Sequence, residues 1–159
     1  MSDLTIVVPV YNDRESVLPL KEEIGAALAD APFTYDLLFV DDGSTDNPRE
    51  VFEAHGLRFL SHGVNRGYGA AIKTGVQAAD SEFVCIIDCD GTYDFSNLTP
   101  LIEPLDEGYD MVVGNRLTSL LAPGAMPWAH RSAHFPIPWR RPRPSHTCPT
   151  RPRSRNRPR

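Results

Sequence analysis

Asp88 and Asp90 stand two apart in "DCDG", directly after the apolar run "FVCII". If that run is a strand, alternation places both carboxylates on one side. Two carboxylates on one side suit Mg²⁺ or Mn²⁺, hard cations that take oxygen ligands and leave positions for phosphate oxygens, so a metal–diphosphate site follows. The same pair also fits a solvated strand end that caps the next helix, because turns are rich in Asp. A second acidic cluster, "DDGSTD" (41–46), reads as a turn at Gly43 followed by a helix capped by Asp46. That leaves Asp41 and Asp42 unexplained, and a carboxylate there could accept from ribose hydroxyls or a base N–H. Tyr11, beside Pro9 and Asn12 in "PVYND" ending at Asp13, is either a packed aromatic or a platform for a base. The run "NRGYGAAIKTG" (65–75) opens a helix with residues so small that backbone or ligand can approach closely. It is no dinucleotide fingerprint, since Ile72 replaces the third glycine and the run follows the third strand. Close helix packing explains it as well.

The elements that must position these residues alternate short β-branched runs with longer amphipathic ones, the pattern of βα units around a largely parallel sheet. Strands are predicted at 4–10, 35–40, 57–61, 83–88 and 110–114. Helices are predicted at 14–29, where Val17, Leu20, Ile24 and Leu28 form one stripe, from Pro48 onward, at 68–79, and as a short proline-interrupted piece at 97–105. The fold class is therefore α/β, a Rossmann-like, mostly parallel sheet flanked by helices. Parallel strands share one carboxyl edge, so the clusters after the first, second and fourth strands should converge on a single crevice.

Charge divides the 159 residues. From Ser132 to Arg159 there are eight arginines, seven prolines and no acid, whereas all 21 acids lie earlier. The basic stretch has no hydrophobic period and reads as a disordered tail, 132–159, behind a domain at 1–131. A nucleic-acid or membrane-surface arm is its functional alternative. No run approaches the roughly 18 apolar residues of a membrane helix. The N-terminus lacks the features of a secretory signal, and three cysteines are unpatterned, which together predict a cytoplasmic protein. Histidines 55, 62, 130, 134 and 146 show no ligand spacing and read as surface or tail residues.

Taken in order, "VVPVYND", "VDDGSTD", "NRGYGAAIKTG", "IIDCDGTYD" and "GYDMVVGNR" resemble the motifs of the family 2 glycosyltransferases, inverting enzymes with the A-type nucleotide-sugar fold. The spacing is most similar to the branch that loads a polyprenyl phosphate, as dolichyl-phosphate mannosyltransferase does. The resemblance implies that Pro9, Tyr11, Asp13, Val40, Asp42, Asp88 and Cys89 bind the GDP- or UDP-sugar, and that Asp88 and Asp90 hold Mg²⁺ or Mn²⁺. It implies further that Arg116 and Arg131 bind acceptor phosphate, with Asp90 and Arg116 as the catalytic pair, at the inner face of the membrane. Thr92 stands where relatives often carry a better metal ligand. Relatives also continue past Arg131 with acceptor-binding elements, so the Arg/Pro segment is expected to mark a truncated, frameshifted end. A donor-binding remnant without turnover is then one alternative. Another is a haloacid-dehalogenase-like phosphatase, which "IIDCDGT" also resembles, although no Lys follows Lys73 and no acid follows Asp110.

Overall fold

A computed structural model describes residues 2–90, 95, 98–106, 109–112 and 137–140. The first strand, β1 (Leu4–Val10), is the centre of a five-stranded sheet. On one side it pairs in parallel with β2 (Tyr35–Asp41), and β2 with β3 (Phe59–Ser61). On the other it pairs in parallel with β4 (Phe83–Ile86), whose outer edge carries the antiparallel β5 (Ile137–Arg140). The order is thus β3-β2-β1-β4-β5. The chain winds outward from β1 through β2 to β3, then returns to place β4 on the opposite flank. That reversal between β1 and β4 is the topological switch point, where the loops on the two sides diverge and open a crevice.

Alternation divides the side chains between two layers. Leu4, Ile6, Val8, Val10, Phe39, Phe83, Cys85 and Ile87 face one layer of helices. These are α1 (Val17–Ala27), through Val17, Leu20 and Ile24, α2 (Pro48–Ala54), through Phe52, and α4 (Leu98–Asp106), through Leu98, Ile102 and Leu105. Val7, Val40 and Val84 face the other layer, α3 (Tyr68–Ala78), through Ala71. A Cβ on Gly75 would run into the Val7 side chain and approach Val40 Cγ2 to 3.2 Å. The small residues of α3 at Ala71 and Gly75 therefore do serve close packing. Gly75→Ala is expected to lower stability by about 1–3 kcal/mol through overpacking, visible as a fall in the urea midpoint.

Three expectations change. The Asp46 cap is not made: Asn47, in the left-handed region at φ 58°, precedes α2 with no side-chain cap bond. Pro48 disfavours helical geometry in the residue before it, and Asp46 Oδ2 instead accepts the Arg14 N–H at 2.8 Å. Secondly, α4 runs continuously over Leu98–Asp106 past both prolines: Pro100 falls in the first turn, where the missing N–H would have had no partner anyway, and Pro104, in the last turn, forgoes one helix bond. Thirdly, the outer strand comes from within the Arg/Pro segment. Ile137–Arg140 forms β5, while among the described residues 110–112 of the strand expected at 110–114 only Met111 makes a bridge, and the Val112 N–H donates to Pro138 O at 3.1 Å. Proline is tolerated on such a flanking strand, and β4 would otherwise present a bare edge. The other residues of 113–136 and 141–159 lie outside the described set.

Candidate functional site

At the carboxyl end of β1 the chain turns sharply at Asn12, φ 54°. The Asn12 N–H donates to Ser44 Oγ at 3.0 Å, and its Oδ1 accepts the Thr45 N–H at 2.7 Å, so this loop is stitched to the one after β2. Asp13 accepts the Ser16 hydroxyl at the start of the 3-10 turn Arg14–Ser16. Tyr11 is not packed away: it is 51% exposed. Pro9, half-buried, lies opposite Val40 in the ladder.

The two acids after β2 behave differently from a solvated pair. Asp41 accepts the Ser44 N–H at 2.9 Å and the Ser61 hydroxyl at 2.8 Å. Asp42 is only 3% exposed. Its Oδ1 meets His62 Nδ1 at 2.6 Å and accepts the Arg66 N–H at 3.0 Å, while Oδ2 accepts the Gly67 N–H at 2.8 Å. Burial works against ionisation of Asp42, but the His62 contact and then the Arg66 and Gly67 N–H groups outweigh it, and the carboxyl is held below its ordinary value. His62 Nε2 in turn meets Thr74 Oγ1 of α3 at 2.9 Å. Gly43, φ 74°, lets the neighbouring backbone close in, since a Cβ there would lie 2.5 Å from Asn65 N.

His62 therefore corrects the reading of it as a surface histidine; it is 7% exposed and joins β3 to α3 through Asp42 and Thr74. A lone histidine gives no periodic signal. The available clue is its position, immediately after a strand and on the same carboxyl edge as the acidic clusters.

Beyond β4, the side-chain alternation continues. Cys85, Ile87 and Cys89 enter the α1/α4 core, Asp88 reaches the start of α3, and Asp90 lies in the turn that follows. The Tyr68 hydroxyl, at the first position of α3, donates to Asp88 Oδ1 at 2.6 Å. The Tyr68 phenol is raised above its ordinary value, first by desolvation, then by the Asp88 hydrogen bond and the charges of Asp88 and Asp90. The Cys89 thiol is pushed up to about 12, chiefly by burial and then by the charges of Asp13, Asp90 and Asp88. Because β1 and β4 are neighbouring parallel strands, with the Ile87 N–H donating to Val7 O at 3.1 Å, the loops that leave them share one edge at the switch point. Cys89 itself is 4% exposed, and the Val40 side chain is fully buried beneath α3, so only the backbone of either residue can face a ligand.

Asp88 and Asp90 fit a divalent cation. Among the described residues no three His, Cys, Asp or Glu side chains gather as a ligand set. A site of two carboxylates leaves the remaining positions to phosphate oxygens and water, which is how Mg²⁺ is held beside a nucleotide. Arg116, Arg131 and Thr92 lie outside the described residues.

Comparison with known proteins follows this geometry. The model of the family described as Glycosyl transferase family 2 matches residues 5–156. An uncharacterized glycosyltransferase of Mycobacterium tuberculosis is 37% identical over 137 residues, 86% of this chain and 58% of the relative. The dodecaprenyl-phosphate galacturonate synthase of Rhizobium johnstonii is 32% identical over 72% of this chain and 36% of its own length. The chain thus spans little more than half of one curated relative and about a third of the other. Among solved structures, glucosyl-3-phosphoglycerate synthase from Mycobacterium tuberculosis, with Mn²⁺, uridine diphosphate and glucosyl-3-phosphoglycerate, superposes with a TM-score of 0.56 at 26% identity, covering 69% of this chain and 42% of that one. With the A-type sheet, the acidic pair beyond β4 and a family match across nearly the whole chain, this protein belongs to glycosyl transferase family 2.

Proposed function

We propose that the crevice between the ends of β1 and β4 binds a nucleotide-sugar, GDP- or UDP-linked, for inverting transfer to a polyprenyl phosphate at the cytoplasmic face of a membrane. The observation that carries this reading is that β1 and β4, adjacent and parallel, deliver the Tyr11–Asp13 and Asp88–Asp90 segments to one edge of the sheet at the switch point. Among the described residues no helix is long and apolar enough to cross a membrane. The name of the Rhizobium relative supports a polyprenyl-phosphate acceptor, and the Mn²⁺ complex of the synthase supports the metal.

In this reading Tyr11 offers its exposed ring to the base, with Pro9 shaping the floor beside it. Asp13 lines the same mouth. Asp42 acts from behind, fixing the Arg66–Gly67 backbone that launches α3. Asp88 and Asp90 would hold Mg²⁺ or Mn²⁺, which supplies positive charge to a departing diphosphate. Acceptor phosphate is already anionic and attacks the anomeric carbon without a general base. Arg116 and Arg131 are assigned to phosphate groups by family resemblance, a role that suits the guanidinium fork.

A thermal-shift panel of GDP- and UDP-sugars, each with and without Mn²⁺, tests the reading. One nucleotide class is expected to raise the melting temperature in Mn²⁺ and to do little in EDTA. No shift with either class would refute donor binding. Transfer of labelled sugar to polyprenyl phosphate, assayed separately, distinguishes an enzyme from a donor-binding protein.

A further inference from the structure

The metal ligands assigned above account for the acids beyond β4, but not for the residue that reaches them from another element. Tyr68 opens α3 and is 52% exposed, yet its hydroxyl is engaged at 2.6 Å with Asp88 Oδ1. Its placement is built rather than incidental. The Gly67 N–H is held by Asp42 Oδ2, and Gly67 adopts φ 90°, so the chain enters α3 at one fixed point and sets Tyr68 over the end of β4. Asp42 is itself anchored by His62, and His62 by Thr74 one and a half turns further along the same helix. The path therefore runs from a buried network to the half-buried Asp88 carboxylate through the Tyr68 phenol.

We infer that Tyr68 is a positioning residue for the metal–diphosphate site, its hydroxyl orienting the Asp88 carboxylate for the divalent cation. The terminal torsion of a carboxylate side chain is broad. A donor fixed on a second element narrows it, as outer hydrogen-bond partners do for metal ligands generally.

The inference rests on the proposed metal role of Asp88, and the test separates the two. Mn²⁺ affinity is measured by electron paramagnetic resonance of the free ion, in the presence of UDP and of GDP, for the unaltered chain, Tyr68→Phe and Asp88→Asn. Tyr68→Phe keeps the ring and removes only the hydroxyl. It is expected to weaken Mn²⁺ binding about 10–100-fold, with the melting temperature and the metal-free nucleotide affinity unmoved. If Asp88→Asn loses Mn²⁺ while Tyr68→Phe binds it as tightly as the unaltered chain or more tightly, the positioning role is wrong and the metal site stands. If Tyr68→Phe weakens nucleotide equally in EDTA, the tyrosine acts on the nucleotide instead, and the inference fails. If Asp88→Asn retains full Mn²⁺ affinity, the metal assignment falls and the positioning role falls with it.

Discussion

Asp90→Ala is expected to abolish Mn²⁺-dependent binding of nucleotide-sugars, lowering affinity by at least about a hundredfold while leaving the fold intact. The two halves of that result have separate causes. A two-carboxylate site that loses one carboxylate loses both a ligand and half of the charge that balances a divalent ion. The stability half follows from exposure: Asp90 lies at the exposed turn beyond β4, where substitutions usually move stability by no more than about 0.5 kcal/mol. Isothermal calorimetry with the donor in Mn²⁺, beside urea unfolding, reads both. Unchanged donor affinity in Mn²⁺ would remove Asp90 from the site.

Asp42→Ala should show the reverse, a large loss of stability. The substitution removes the carboxylate partner of His62, which is 7% exposed, and the acceptor of the Arg66 N–H, while the Gly67 N–H keeps Asn65 Oδ1 at 3.0 Å. Leaving a buried hydrogen-bonding group unsatisfied costs about 1–3 kcal/mol. The pH dependence follows from the direction of the shift. The Asp42 carboxyl is depressed in the folded chain, so its contribution is fully present above the unfolded value near ~3.9 and is lost as pH falls through the lower folded value. In acid titrations followed by the melting temperature, the unaltered chain is expected to lose stability on that limb, and Asp42→Ala to lose less of it. A substituted chain as stable as the original at neutral pH would show that the buried contacts are replaced by water.

What the sequence disclosed and what it withheld divide along one line. Features encoded by local period were legible: the stripe of Val17, Leu20, Ile24 and Leu28, and the alternation that buries Cys85 and Ile87. Features created by pairing distant segments were not. Asp46 looked like a cap until Arg14 supplied a donor 32 residues away. Asp41 and Asp42 looked available for a ligand, whereas Ser61 and His62, from the next strand's end, engage them. Ile137–Arg140 looked disordered by composition, yet an unpaired flank of β4 offers hydrogen bonds that composition does not register. The sheet edge on which the clusters gather could therefore be read from the strand order. The internal bracing of the site could not.

The central position of β1 has a consequence for biosynthesis. This strand is synthesised before both of its neighbours, β2, which begins at Tyr35, and β4, which ends at Ile86. At roughly 5–20 residues per second, the apolar run Leu4–Val10 waits several seconds for its second partner. Until then it is an unpaired hydrophobic strand closed only on one side, with long loops to be formed before both flanks are satisfied. Nascent chains should thus be most prone to aggregate between the emergence of α1 and that of β4, and most dependent on chaperones in that interval.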